Sequence, residues 1–589
     1  RGGGGAIRAG SARQKPGEGP QGGGGGRGTA PFAAAFAVIL AVRLLSAGFN
    51  PIADCDETFN YWEPLHFLMY GFGLQTWEYA PRYALRSYLY LDLHRFMGLV
   101  LRAIGVESAY GKRGIFYGLR ACLAILSSTA DALLATKVAA RFGPYVELGY
   151  IIFAATAAGT FNSGASLLPQ TFAMNLATLS LAFLHWGHDV LAIAAMGVAA
   201  MVGWPFCVLV GAGTGLSIMG RRGIFFSALW GVLCLVAIGG CLLVADSGYY
   251  GKAVLAPLNI ALYNSRVSEG EKGGTLYGVE PWHFFFKNLF LNFNFVLPLF
   301  LLAPLLSFLQ NPALRSFKET AGICFPALIW FGLMSSLPHK EERFMYVIYP
   351  LVCLGGSLGL CRLCSLVARS LRCCRAASRS VRLKPALWTL GIIITVSLSA
   401  SRNFAMVRYY RAPLGIYESL SVIHESKLAA GLIKPDEQAN VCVGKEWYRF
   451  PSHFLLESPS LRLAFIQSGF TGQLPQPFLP GGINSTSATR EGFNDMNREE
   501  KSRYVKQSQC SYVVDLELPD QRETKLSHMK DWRVVTRIPF LNAARSKMIT
   551  RAFFVPLLSN LDDDKTGWNS WANYVLLERN TTQKQDESS

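Results

Sequence analysis

Asp54, Asp56 and Glu57 place three carboxylates within four residues, shortly after the apolar run Pro31 to Phe49. That run is long enough to cross a bilayer as a helix. Acids this close to lipid must lie in water, be paired, or be at work. Phe59, Tyr61 and Trp62 follow at once, an aromatic belt of the kind that sits at a membrane interface. A carboxylate held against such a belt is partly desolvated, which makes it a better proton acceptor. The plainer alternative is a solvated loop where the first span leaves the membrane. The aromatic neighbours put the catalytic reading ahead of it.

A second cluster, His339-Lys340-Glu341-Glu342-Arg343-Phe344, sits between two apolar runs. Lys340, Arg343 and His339 together suit a phosphate, with Arg as a planar fork and Lys as a point charge. Glu341 and Glu342 would orient or pair with them. The alternative is a charge cluster that ends a span. A third stretch is Tyr249-Tyr250-Gly251-Lys252, followed by Asn259, Tyr263 and Asn264. Tyr and Asn suit sugar hydroxyls and ring faces, and Lys252 could meet a phosphate or simply snorkel. Asp54-x-Asp56 also has the look of a metal-binding pair for a nucleotide diphosphate. No Gly-rich phosphate loop accompanies it, so no metal and no cofactor are expected.

These residues need a scaffold, and composition says which. The chain has 589 residues, 51% of them hydrophobic and only 16% charged, with a mean hydropathy of +0.25. Soluble proteins carry about 25% charged residues. The sequence therefore specifies a polytopic α-helical membrane protein. The net charge of +17 does not point to nucleic acid, because Lys and Arg are interspersed among apolar runs. Expected spans are 31–49, 115–137, 145–161, 170–186, 190–203, 205–219, 224–245, 286–308, 320–337, 344–361 and 386–402. Gly203-Trp204-Pro205-Phe206 splits one apolar region, and a cavity-lining break and a Pro kink both remain open. Between the first two spans, Leu85, Leu89, Leu93, Phe96, Val100 and Ala103 recur at helical spacing. They predict an amphipathic helix in the interface, or else a poor membrane span.

Arg362, Arg369, Arg372, Arg375, Arg379, Arg382 and Lys384 share one connection without an acid. The positive-inside rule makes that side cytosolic. Loops 50–113, 162–169, 246–285 and 338–343, and everything after 402, then lie opposite. The acids and the basic cluster face one compartment. Residues 1–30 read as a disordered cytosolic tail, 31–402 as the membrane-embedded catalytic domain, and 403–589 as a domain of mixed strand and helix. Runs such as Ala439 to Val443 and Ser511 to Leu516 predict strands. Asn484 and Asn580 lie in glycosylation acceptor patterns. Cys442 and Cys510 could pair outside the cytosol. Cys373-Cys374 could carry palmitate or stay free thiols.

Asp54 to Pro64, Gln75 to Tyr79, Gly203 to Phe206, Tyr249 to Lys252 and His339 to Phe344 together resemble motifs of one family. It is that of the dolichyl-phosphate-mannose-dependent alpha-1,2-mannosyltransferases of asparagine-linked glycan assembly. The resemblance implies a GT-C fold in the endoplasmic reticulum membrane, with the active site and the C-terminal domain lumenal. It implies inverting transfer of mannose from dolichyl phosphate mannose to a dolichyl-diphosphate oligosaccharide, adding the seventh and the ninth mannose. It implies Asp56 as base, Glu57 orienting it or touching sugar, and Asp54 as a less secure third. Glu63, Trp62, Tyr250, Lys252, His339, Lys340, Glu342 and Arg343 are the expected substrate-binding residues. The rival reading is a membrane carrier or lipid flippase, against which stands the lack of any repeated half.

Overall fold

The computed structural model describes residues 32–267, 278–310, 314–373, 383–519, 524–556 and 567–580, with isolated positions between them. The expected tail 1–30, Arg375, Arg379, Arg382, Cys374, Thr581 and Thr582 lie outside those residues.

Each expected apolar span is helical over most of its length. Six of the described helices are by themselves long and apolar enough to cross a membrane. The expected span 286–308 is instead two helices, Phe284–Phe293 and Val296–Gln310, bent by 100° at the break. Asn294 makes that corner with a φ of 42°, which Asn tolerates better than most residues. Its amide donates to Ser399 Oγ at 3.0 Å. Charged groups within the bundle are paired or hydrogen-bonded, as a lipid surrounding demands. Arg43 and Asp131 form a buried ion pair, and Tyr150 donates to Asp131 at 2.6 Å.

The split apolar region is neither a kink nor an unwound span but a hairpin. Asp189–Val198 and a π turn, Ala199–Gly203, form one arm; Pro205–Cys207 turns the chain; Val208–Arg222 returns. Arg222 and Asp189, at the two open ends, pair at 2.8 Å, so the arms run antiparallel. Gly203 lets the tip seat closely, since a Cβ there would lie 3.2 Å from the Pro169 carbonyl oxygen.

The amphipathic helix is Tyr88–Ala103. Asp246 Oδ1 caps it from another helix, accepting from Tyr88 N at 2.8 Å, Leu89 N at 3.2 Å and Ser87 Oγ at 2.9 Å. Tyr88, Tyr90, Leu91 and His94 are buried, whereas Leu93, Phe96 and Val100 are exposed. An outward apolar stripe on a rim helix matches one lying in the membrane interface.

Among the described residues seven strands form in the polar segments: β1 (Leu74–Gln75), β2 (Ala439–Val443), β3 (Leu461–Phe465), β4 (Gln476–Pro477), β5 (Tyr512–Glu517), β6 (Trp532–Leu541) and β7 (Trp571–Arg579). The main sheet runs β3-β2-β5-β7-β6, with β3, β2 and β5 parallel and β7 antiparallel to both neighbours. β1 pairs antiparallel with β4, which ties the loop after the first span to the C-terminal part. Helix Leu383–Tyr410 runs through residue 402, so the change to sheet architecture comes only at β2.

Cys442 and Cys510 form a disulfide, linking residues 68 apart in sequence. It sits in a core with Val513, Trp532, Val575 and Leu577. Replacing both cysteines by alanine should cost this part about 2–5 kcal/mol. A reductant-sensitive melting temperature, lost in the double variant, is the measurement; reductant without effect on the native chain would contradict it.

Candidate active site

The chain leaves the first span at Asn50 and starts a helix at Cys55. Asp54 caps it, its Oδ1 accepting from Asp56 N at 2.9 Å. A short α turn, Cys55–Glu57, a π turn, Thr58–Trp62, and Glu63–Tyr70 follow without a gap. The cap fixes Asp54 and leaves its second oxygen outward, next to Asp56. Arg343 reaches both: Nη1 donates to Asp54 Oδ2 at 2.7 Å and Nη2 to Asp56 Oδ2 at 2.6 Å. Glu341 also contacts Arg343 Nη2. The arginine side chain is only 8% exposed, against 25% for Asp54 and 32% for Asp56. The carboxylates thus open to solution while their counter-ion stays behind them.

Arg86, left out of the expected site, and His339, expected in it, complete the network. Arg86 Nη2 lies 3.7 Å from Asp56 Oδ2, pairs with Glu78 at 2.9 Å and donates through Nη1 to Tyr61 Oη at 2.6 Å. His339 approaches Glu341 through Nε2 at 3.2 Å and the Gly278 carbonyl through Nδ1 at 3.1 Å. Both ring nitrogens face acceptors, which favours the imidazolium. The bond to Glu341 accordingly holds His339 above its ordinary value, against burial.

The two aspartates are pushed apart. Burial drives Asp54 up to about 7, with Arg343 opposing and Asp56 adding to the rise. Burial acts on Asp56 too, but Arg343 and Arg86 together hold it below its ordinary value. Such a split assigns different protonation states to neighbouring acids. Asp56 is the ionised partner at neutrality and the group fitted to take a proton. When Asp54 is protonated, Asp56 no longer has the negative charge of Asp54 beside it at the fork of Arg343 and is a weaker base. The transfer rate should therefore rise with pH through about 7, in a pH–rate profile, and this step should vanish in Asp54→Asn. A profile flat between pH 6 and 8 would contradict the assignment.

Asp54, Cys55 and Asp56 each bring a donor atom within 4.8 Å of the others, a set a divalent cation could use. Arg343 already engages an oxygen of each carboxylate, so a cation would compete with it.

Several expected site residues sit elsewhere. Glu57 is buried, accepting from Trp62 Nε1 at 3.1 Å and Leu167 N at 2.9 Å. One helical step turns it about 100° from Asp56, into the bundle. Trp62 is fully buried against Phe116 and Phe454. Glu63 is fully buried on Ser452 and His453. Lys340 Nζ donates to the carbonyls of Glu280, at 2.7 Å, and Leu337, away from Arg343. Glu342 is held by amides of Asn162, Asn288 and Asn292 at 2.8–3.1 Å. Tyr250 is buried and donates to the Arg86 carbonyl at 2.7 Å, so it supports the network rather than facing substrate. Lys252 is exposed beyond the end of Ile224–Tyr250. The hairpin tip closes one side: Trp204 stacks on Phe344 at 5.5 Å.

Fold and site together define a membrane-embedded enzyme whose carboxylate pair is gripped by one arginine where loop and bundle meet. The model of the Alg9-like mannosyltransferase family matches residues 34–457, and the chain belongs to that family. It is a glycosyltransferase, and the carrier reading falls. Alpha-1,2-mannosyltransferase ALG9 of Mus musculus is 39% identical over 563 residues, covering 92% of this chain and 88% of its own. Alpha-1,2-mannosyltransferase alg9 of Schizosaccharomyces pombe is 34% identical over 576 residues, covering 93% and 94%. The crystal structure of ArnT from Cupriavidus metallidurans bound to undecaprenyl phosphate superposes with a TM-score of 0.48 at 14% identity, covering 83% of this chain and 93% of that one.

Proposed function

We propose that the enzyme transfers mannose from dolichyl phosphate mannose to a mannose hydroxyl of a dolichyl-diphosphate oligosaccharide, forming alpha-1,2 linkages during asparagine-linked glycan assembly. The observation that carries this is Asp56, ionised, partly exposed and backed by Arg343. Names of the relatives supply the linkage. The Cys442–Cys510 disulfide supports a lumenal site, since disulfides persist in oxidising compartments. The endoplasmic reticulum membrane fits both.

Asp56 takes the proton of the acceptor hydroxyl as that oxygen attacks C1 of mannose. The C1–oxygen bond to phosphate breaks, and dolichyl phosphate leaves with the electron pair. A single displacement on a beta-linked donor gives an alpha-linked product. The donor is already activated, so the protein need only align, deprotonate and balance charge. Arg86 and imidazolium His339 supply positive charge beside Asp56, to balance the negative charge the leaving phosphate gains. A narrow cleft of about 40 Å3 beside Arg86 and Tyr61 is walled by Met201, Trp204, Pro205 and Pro257. Its apolar wall suits the start of an isoprenoid chain entering from the bilayer.

Purified protein with dolichyl phosphate mannose and a mannose-terminated lipid-linked acceptor tests the proposal. An alpha-1,2-linked product is expected. Turnover only with a nucleotide sugar would overturn it.

A further inference from the structure

One face of the helix that carries Asp56 lies on a short segment from the far end of the chain. Thr58, Phe59, Trp62, Glu63 and His66 recur at helical spacing. Thr58 Oγ1 donates to the Pro451 carbonyl at 3.2 Å. Phe59 meets the rings of Trp447 and Phe450 at 5.7 and 6.3 Å, and Trp62 meets Phe454 at 5.8 Å. Glu63 is the centre. Its carboxylate, fully buried, accepts from Ser452 Oγ at 3.0 Å, His453 N at 2.8 Å, His453 Nδ1 at 2.6 Å and Leu74 N at 3.1 Å.

The tautomer of His453 follows from its other contact. Leu463 N, at the middle of β3, donates to His453 Nε2 at 3.1 Å. Nε2 is then the bare nitrogen, and Nδ1 carries the proton it gives to Glu63. The line from the sheet to the helix is therefore directional: Leu463 N–H, imidazole, carboxylate. The same segment also grips the second long helix. Lys112 N and Arg113 N donate to Glu457 at 2.8 and 2.9 Å. Gly111, at φ 66°, makes room, because a Cβ there would collide with that carboxylate.

We infer that residues 451–457 are a clamp that sets the position of Asp56, with Glu63 and His453 as its positioning residues. Asp56 and Glu63 are two helical turns apart, about 10 Å along the axis. A buried carboxylate with four donors, on a helix without a break, transmits any slip at Glu63 to Asp56. The sheet domain thus serves catalysis by holding the base at hydrogen-bonding range of Arg343. This rests on the role proposed above for Asp56.

The experiment compares Glu63→Gln, His453→Asn and His453→Ala with the native protein, reading kcat, both KM values, melting temperature and hydrogen exchange over residues 55–70. Gln fills the same space, but its one carbonyl oxygen cannot replace both oxygens of Glu63, so either Ser452 Oγ and His453 N or Leu74 N and His453 Nδ1 lose their acceptor. It should lower kcat about 10- to 100-fold, as a misplaced base does, with KM values and melting temperature close to native and faster exchange in 55–70. Asn at 453 keeps an N–H toward Glu63 and should retain more kcat than Ala. A native kcat in Glu63→Gln, a loss that simply follows the melting temperature, or His453→Asn no better than Ala would overturn the clamp. Exchange reads the clamp independently of any donor, so unchanged exchange refutes it even if the assignment of the substrate is wrong.

Discussion

Asp56→Asn should lower mannosyl transfer about 10²- to 10⁴-fold, the range general-base catalysis contributes. Asn keeps the shape and can still accept from Arg343 but cannot take the acceptor proton. Asp54 and Glu341 still face the guanidinium, so the arginine is not stranded and the protein should remain folded. Donor and acceptor KM values should change little. Asp54→Asn should be the milder variant, since Asp54 caps the helix and is half protonated near pH 7. Steady-state kinetics on both, beside their melting curves, decide the matter. A greater loss in Asp54→Asn would exchange the two roles.

The second large effect is expected at Arg343. It is buried and answers three acids at once. Arg343→Ala leaves Asp54, Asp56 and Glu341 facing one another without their main counter-charge. Removing one partner of a buried ionic cluster costs about 3–5 kcal/mol, and the melting temperature should fall accordingly. Arg343→Lys should fold better yet stay poor in activity, because one ammonium cannot fork to both aspartates. The sign of the pH effect follows. Without the guanidinium, Asp56 loses the chief charge that holds its proton affinity down, so it is protonated at higher pH. An adjacent Arg is worth about 1–3 units to an Asp. Arg343→Lys should therefore recover activity as pH is raised, where the native enzyme has levelled off. A variant with native turnover at pH 7 would show that the fork does not tune the base.

The spans were legible because hydropathy is a local signal, and each apolar run is its own evidence. The meeting of Asp56 with Arg343 was legible too, but only through topology, by counting loops with Lys and Arg. What local pattern could not give is which way each side chain turns. Asp56 and Glu57 are neighbours in sequence, yet one faces solution and the other Leu167. Lys340 and Arg343 look like equal phosphate ligands, yet Lys340 closes the end of a helix on backbone carbonyls. Arg86 stood in the amphipathic stretch as one more polar residue. Its link to Asp56 depends on Asp246 and Tyr250, both more than 150 residues away. Glu63 was read as substrate-binding because nothing near it in sequence announces Ser452 and His453, 389 and 390 residues on. The corner at Asn294 was hidden in the same way, since the run around it, despite Lys287, Asn288 and Asn292, is apolar enough to read as one span.

The most direct measurement is the configuration of the new bond. Purified enzyme, beta-linked dolichyl phosphate mannose and a defined lipid-linked acceptor would be combined, and the product's anomeric carbon read by NMR. One displacement with Asp56 as base gives an alpha-linked mannose. A beta-linked product, which needs two displacements and a covalent sugar on the protein, would contradict the account.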